Sequence, residues 1–389
     1  MGMTERPATL RDVATAAGVH PATASRALNP STRLLVSEDT AQRVLAAASR
    51  LGYSPNPVAR SLRTRRSNTV GVLIPDLNNP LFPPMVRGVE DRLAERGYVA
   101  LIGNTDGDER RERLVFDQMR ARHVDGFVLA TATLRNPILD EAAKADLPVV
   151  LMNRTARGYP FSSVSADNQA GARAAVTYIA SLRHTRIGHV AGPQGISTGV
   201  ARLRGFQDGM RGSGLDVSED QVAQAAAYSI EEGIRCCAEL LGRRGDLTAI
   251  VAANDLLAIG CYEAIDRLGL RCPQDISVIG FNDMPFVDRL RPPLSTIRFP
   301  HHQMGMEAAT LLLERIDGET GPVKILYLAP EVVARGSTAP PASMVALRPA
   351  LRIFTAIYLM AGLPHTIAVT YGDNCRRGAG FTSRKHCVL

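Results

Sequence analysis

Apolar positions along the chain fall into two regimes. In the first, Leu10, Val13, Ala14 and Ala17 recur at i, i+3, i+4 and i+7, one face of a short helix. Thr9 and Asp12 have capping-box spacing at its start. Gly18-Val19 breaks the period, and Pro21 suits the first turn of a second helix. There Ala24, Ala27 and Leu28 point inward, while Ala22, Ser25 and Arg26 share the outer face. A polar loop, Pro30 to Arg33, leads to a third helix with Ser37 at its N-cap. Its inward stripe reads Ala41, Val44, Leu45, Ala48 and Leu51, and Gly52 ends it. Pro55 and Pro57 then leave room for only a short helix before Leu62.

From Thr69 the second regime begins, with strand-like runs alternating with helical ones. The runs are TVGVLI, Phe82–Arg96, YVALIG, Asp108–Arg122, GFVLAT, Ile138–Ala145 and LPVVLM. A second series follows: Asn168–Ser181, RIGHVAG, Ala201–Arg211, a short strand near Val222–Ala226, Ile230–Arg243, TAIVAA, Asp255–Leu268 and ISVIGF. One more helix, Pro300–Ile316, and a strand near Ile325 complete it. Short apolar strands between amphipathic helices predict parallel sheets covered on both faces. Roughly ten strands suit two doubly wound subdomains better than one sheet. The fold class is therefore α/β, preceded by an all-α headpiece.

Charge sharpens this division. Residues 1–66 hold 10 Arg and 4 acids, whereas residues 67–341 hold 29 basic and 33 acidic side chains. The basic end carries the helix pair, as an electrostatic footprint for phosphates requires. No apolar leader opens the chain, and the longest apolar run, Leu351 to Leu363, contains Arg352 and is too short for a membrane span. A cytoplasmic protein with reduced thiols is expected, since the six cysteines lack metal-like or disulfide-framework spacing. No dinucleotide fingerprint, P-loop, nucleophile elbow or metal spacing occurs, so neither enzyme, cofactor nor metal is expected.

Two short helices around a tight turn, the second bearing small outward side chains and an Arg, fit a helix-turn-helix whose second helix enters a DNA major groove. Arg26 is the candidate base reader, best suited to a guanine, and Pro21 and Ala22 offer only apolar contact. Thr9, Thr23, Ser25 and Asn29 complete the candidate DNA surface of the headpiece.

The segment GVHPATASRALN closely resembles the recognition segment of the lac repressor family, commonly G-V-S-x-x-T-V-S-R-x-L-N. His20 stands where the family has Ser or Thr, and Ala24 where Val is usual. YSPNPVARSL matches the family's hinge pattern Y-x-P-N-x-x-A-x-x-L. The resemblance implies a hinge helix that folds on the operator, with Leu62 as a minor-groove wedge and Asn56, Ala59, Arg60 and Arg63 at the DNA. The Arg60–Arg66 cluster should meet phosphates. The likeness runs from Thr9 to Pro341 and implies a periplasmic-binding-protein-like core. It divides the chain into a headpiece (1–55), a hinge (56–66), a ligand-binding and dimerisation core (67–341) and an unrelated tail (342–389) expected to be dispensable. The chain should cross between subdomains near 164–168, 292–297 and 327–331.

Open parallel sheets bind ligands outside the carboxyl ends of their strands. Polar residues at those ends are Asp76 and Asn79, with Phe82 opening the next helix, then Arg154, Asp167, Thr198, Arg202, Asn254, Asp255 and Asn282. Carboxylates, amides and Arg converging with aromatics describe a sugar-type pocket. The resemblance adds Phe82 and Tyr228 as aromatic walls and makes Arg202 the principal ligand contact. Asn282 replaces the family's usual Asp and donates as well as accepts, so a nucleobase or other metabolite stays an alternative to a sugar. The resemblance implies a homodimeric repressor on a near-palindromic double-stranded operator, controlled by a small carbohydrate-like ligand. No sustained C-terminal heptads support a tetramer. A sugar-binding transport receptor shares the core fold, but the basic headpiece argues against that reading.

Overall fold

The computed structural model describes residues 8–29, 32–54 and 66–342. The masked hinge positions Asn56, Ala59, Arg60, Leu62 and Arg63, and the tail from residue 343, lie outside the described residues.

The headpiece contains three α-helices, α1 (Leu10–Ala17), α2 (Pro21–Leu28) and α3 (Glu38–Arg50). Helix α1 starts with the expected capping box. Thr9 Oγ1 accepts the Asp12 N–H at 3.4 Å, and the Asp12 carboxylate accepts the Thr9 N–H at 2.7 Å. Gly18 closes the helix in the left-handed conformation, φ 65°, which costs a glycine little. His20 caps α2 after all, since its Nδ1 accepts the Ala22 N–H at 3.2 Å. Val13, Ala14, Ala24, Ala27, Ala41 and Val44 form the centre of a small core.

One expectation fails here. Leu45 is 36% and Leu51 38% exposed, and Ala47 is buried in their stead. The buried face of α3 is Ala41, Val44, Ala47 and Ala48, which places Leu45 to one side of the seam with α1 and α2. Ser37 stands at the N-cap of α3 as expected, and its hydroxyl donates to Thr40 Oγ1 at 2.9 Å. The loop ahead of α3 also contains a 3₁₀ turn, Arg33–Leu35, with Leu34 and Leu35 exposed.

The larger part holds two parallel sheets. The first series of elements is β1 (Thr69–Ile74), α4 (Phe82–Ala94), β2 (Val99–Asn104), α5 (Glu109–Ala121), β3 (Gly126–Leu129), α6 (Pro137–Lys144), β4 (Val149–Met152) and β5 (Ser162–Ala166). The second is α7 (Asn168–Ser181), β6 (Ile187–Ala191), α8 (Ser197–Gly212), β7 (Val222–Gln224), α9 (Ile230–Arg243), β8 (Ala249–Ala252), α10 (Asp255–Arg267) and β9 (Ser277–Ile279). Then come β10 (Thr296–Arg298), α11 (His301–Ile316), β11 (Ile325–Leu328) and β12 (Glu331–Val333).

The first sheet runs β11-β5-β4-β3-β1-β2 and the second β7-β6-β8-β9, every pairing parallel. The chain leaves the first sheet after Ala166 and enters α7, which packs on α8. It returns through β10 to α11, which packs on α4. It crosses a last time after β11, through β12, so that Val278 N–H donates to the Ser337 carbonyl at 2.9 Å. β10 and β12 pair antiparallel, a two-stranded ribbon at the crossings. Among the described residues, no helix is long and apolar enough to cross a membrane.

Candidate DNA interface and ligand cleft

On α2, Ala22 and Arg26 are exposed and Ser25 half-buried, while Ala24 and Ala27 are fully buried. The outer face therefore carries a methyl, a hydroxyl and one guanidinium. Pro21 and Thr23 are half-buried at the start of the helix, and Asn29 is its C-cap. Thr9 lies elsewhere, with its hydroxyl engaged in the α1 cap, donating to Asp12 Oδ2 at 2.7 Å. Arg66, counted above among phosphate contacts, faces the core instead. Its Nη1 pairs with Asp317 at 2.9 Å and its Nη2 donates to the Ile316 carbonyl. Asp125 accepts the N–H groups of Ser67 and Asn68, at 2.7 and 2.9 Å. Residues 66–68 are thus tied to the core at its start.

Between the two sheets, the polar strand ends divide into two groups. Arg202 on α8 is 2% exposed. Its Nε donates to Asn168 Oδ1 at 2.8 Å, Nη1 to the Ala253 carbonyl at 2.6 Å, and Nη2 to Asn282 Oδ1 at 3.1 Å. The guanidinium lies 3.8 Å from the Phe281 ring centroid and 5.8 Å from that of Tyr228. All three acceptors are neutral, and among the described residues Arg202 makes no ion pair. Burial lowers its pKa, which Tyr228 and Asp255 partly oppose. One N–H on each terminal nitrogen stays uncommitted.

Tyr228 lies against Gly192, where a Cβ would stand 2.4 Å from the phenol oxygen, and its hydroxyl donates to Thr198 at 3.4 Å. From the other half, Arg154 Nη1 donates to the Thr131 carbonyl at 3.1 Å. Desolvation lowers the Arg154 pKa, while Tyr228 and Glu112 act in the opposite sense. Arg154, Thr198, Arg202, Tyr228 and Asn282 therefore converge from both halves. Leu134 N–H donating to the Gly195 carbonyl (3.0 Å) and Thr155 N–H donating to Ser197 (2.8 Å) join the two lips.

The second group serves the backbone. Asp76 accepts the Asn78 N–H at 2.8 Å and Asn79 the Leu81 N–H at 3.1 Å. Asp167 caps α7, and Asn254 caps α10 by accepting the Leu257 N–H at 2.9 Å. Asp255 is fully buried; it accepts Thr296 Oγ1 at 2.6 Å and the Met284 N–H at 2.8 Å. It ties β10 to α10. Phe82 is 2% exposed and packs in the core with Ile74 and Met85.

Sequence reasoning missed Asn168, Phe281 and the buried group Glu112, Thr131 and Asn136. Glu112 accepts Thr131 Oγ1 at 2.6 Å, and desolvation raises its pKa. The signal for Glu112 was its period: it shares the inner face of α5 with Phe116 and Met119. Asn168 stands next to Asp167 in the DNQAG motif, and Phe281 next to Asn282.

His189 was also missed. It is buried on β6, stacked on Phe206 with centroids 4.6 Å apart. Its Nδ1–H donates to the Val251 carbonyl at 2.7 Å, and Nε2 has no partner. Desolvation lowers its pKa from 6.5 to about 4. A depressed histidine contributes stability above pH 6.5 that is lost as pH falls toward 4, on the order of 3 kcal/mol in all. Asp255, raised to about 7 by burial, acts oppositely: its share is present below the ordinary carboxylate range and lost as pH rises toward 7. Comparing His189→Phe with wild type cancels Asp255. The wild-type melting midpoint should fall relative to the variant's on going from pH 7 to pH 5. A constant difference across that interval would show that His189 does not titrate on unfolding.

Residues 9–56 match the family model "Bacterial regulatory proteins, lacI family", and residues 176–338 match a periplasmic binding protein-like domain. The chain is 39% identical over 306 residues to the ribose operon repressor of Bacillus subtilis, covering 79% of this chain and 91% of the relative. A solved lac repressor dimer, bound to operator and an anti-inducer, superposes with a TM-score of 0.76 at 26% identity over 86% of this chain and all of that one. A lacI-family transcriptional regulator from Enterococcus faecium with bound ribose gives a TM-score of 0.62 at 30% identity, covering 70% of this chain and all of that one. A helix-turn-helix headpiece, a two-sheet core and relatives similar along most of their length agree: this chain belongs to the lacI family of bacterial regulatory proteins, as a DNA-binding transcriptional regulator and not an enzyme.

Proposed function

We propose that this regulator is a cytoplasmic homodimeric repressor whose grip on a near-palindromic operator is set by a small sugar held between the two halves of the core. The observation that carries the ligand reading is Arg202. A buried guanidinium with neutral partners alone, stacked on Phe281 and backed by Tyr228, suits a ligand rich in hydroxyl or carbonyl acceptors. Arg154, Thr198 and Asn282 surround it with donors and acceptors, and the aromatic rings offer an apolar face. Ribose is the first ligand to test, because a ribose operon repressor and a ribose-bound regulator are among the similar proteins. Self-association is supported by the edge strand β2 and neighbouring α5, where Val99 is 66%, Ile102 39% and Leu114 57% exposed.

Titration calorimetry on the full chain with ribose, cellobiose and nucleosides tests the ligand. A saturable heat for one sugar, with a melting midpoint that rises with its concentration, is the expected result. Saturable binding of a nucleoside alone would replace the sugar reading.

The hinge reading has its own test. Leu62→Ala should weaken operator binding more than binding to random DNA. An apolar wedge contributes only where base steps are kinked, whereas nearby Arg residues act on any phosphate. Equal losses on both DNAs in gel shifts would reduce Leu62 to linker packing.

A further inference from the structure

Glu112 lies on the inner face of α5, 6% exposed, beneath the loop that joins β3 to α6. Its Oε1 accepts the Thr131 hydroxyl at 2.6 Å and the Asn136 side-chain amide at 3.4 Å. Both ends of the segment 131–136 therefore hang from one carboxylate. Thr131 and Asn136 are buried too, so the three polar groups satisfy one another away from water. Between those ends the loop has neither helix nor strand to hold it.

The backbone of this loop serves the ligand cleft. The Thr131 carbonyl accepts Arg154 Nη1 at 3.1 Å. Three residues on, the Leu134 N–H reaches the Gly195 carbonyl of the second half at 3.0 Å. A short irregular segment is ordered only by what ties it down, and fixing its two ends removes much of its freedom. Desolvation raises the Glu112 pKa, while the Thr131 and Asn136 bonds and the charge of Arg154 act against it. Glu112 is thus also an acid that faces Arg154, which among the described residues makes no direct ion pair.

We propose that Glu112 is a positioning residue of the ligand cleft: it sets Arg154 through the Thr131 carbonyl and the lip contact through Leu134, without touching the ligand itself. Its effect on sugar affinity rests on the sugar-cleft reading given above; its effect on the loop does not. A pinned loop presents Arg154 already aimed, so less ordering remains to be done when the ligand binds.

The test uses the full-length protein, with hydrogen-exchange mass spectrometry on the peptide over residues 130–136 and calorimetry with ribose. Glu112→Ala frees both ends of the loop. That peptide should exchange about fivefold faster or more, and ribose affinity should fall about tenfold, the worth of one or two hydrogen bonds. Glu112→Gln keeps an acceptor oxygen and the side-chain volume, and should bring both readouts back to within about threefold of wild type. Thr131→Val removes one donor at nearly constant shape and should move both readouts as Glu112→Ala does; it decides the matter if Glu112→Ala does not fold. Met119→Ala, on the same face of α5 but packed against β1 and β2 at Gly71 and Gly103, should lower the melting midpoint and nothing else. Wild-type exchange of the peptide in Glu112→Ala would overturn the assignment. So would a loosened peptide with undiminished ribose affinity, or a Met119→Ala protein that reproduces both effects. A wild-type protein that takes up no ribose counts against the ribose reading alone, and the exchange of the loop then decides the role of Glu112.

Discussion

Arg202→Ala should produce a protein that melts earlier and no longer binds its sugar. The guanidinium holds Asn168, the Ala253 carbonyl and Asn282 in one buried spot. Truncation leaves those acceptors unpaired and opens a cavity over Phe281, at a cost of about 2–4 kcal/mol of stability. Its position in the sequence, just after a strand end, suggests a side chain reaching for ligand from the surface, whose loss would spare the fold. Burial removes that separation: the same three bonds that aim the fork also staple α7, β8 and the end of β9 together. Sugar affinity should fall by roughly a hundredfold, or about 2–3 kcal/mol. Arg202→Lys keeps the charge and much of the volume but loses the planar fork. It should recover most of the melting midpoint without recovering sugar affinity. Calorimetry and thermal melts on the two variants check both statements. A well-folded Arg202→Lys protein that binds sugar as wild type does would remove Arg202 from the ligand site.

Arg26→Ala should cost about 1–3 kcal/mol of operator affinity and relax base choice at one position in each half-site. It is the one charged side chain on the outer face of α2, which it shares with Ala22 and Ser25. Small neighbours let the helix approach the base edges closely, so the guanidinium reaches them with both ends of its fork. The side chain is exposed, so the headpiece should keep its melting temperature. Binding-site selection from random DNA, followed by anisotropy titrations on the selected site, gives both quantities. Wild-type affinity with wild-type preference would show that another residue reads the bases.

Several element boundaries were legible because caps and apolar period agreed. Asn168–Ser181 and Ile230–Arg243 are found where pattern places them, each led by a side-chain cap, Asp167 or Ser229. β5, β10 and β12 lie at or beside the segments read only as crossings. These strands are short and partly polar, and their pairing is set by the sheets they join. The cleft was legible as chemistry but not as geometry. Asn254, Asp255, Asn79 and Asn282 look alike at strand ends. Only the fold reveals that Asn254 and Asn79 satisfy local backbone N–H groups and Asp255 that of Met284, while Asn282 turns to Arg202. Phe82 and Phe281 pose the same problem in apolar form. One vanishes into the core and the other forms the floor under a cation.

The crossings of the chain between the sheets also decide how this protein can be taken apart. The first half is assembled from residues 66–166 together with α11 and β11, and the second from 168–295 together with the segment around Ser337. Neither half is a contiguous stretch. A chain cut at residue 167 would lose the helix that lies on α4 and the strand beside β5, and would expose their apolar seams. Among the described residues, the core begins at Arg66, tied to Asp317. A builder of chimeric sensors can therefore swap headpieces freely across that joint, but must transplant residues 66–342 as one cassette.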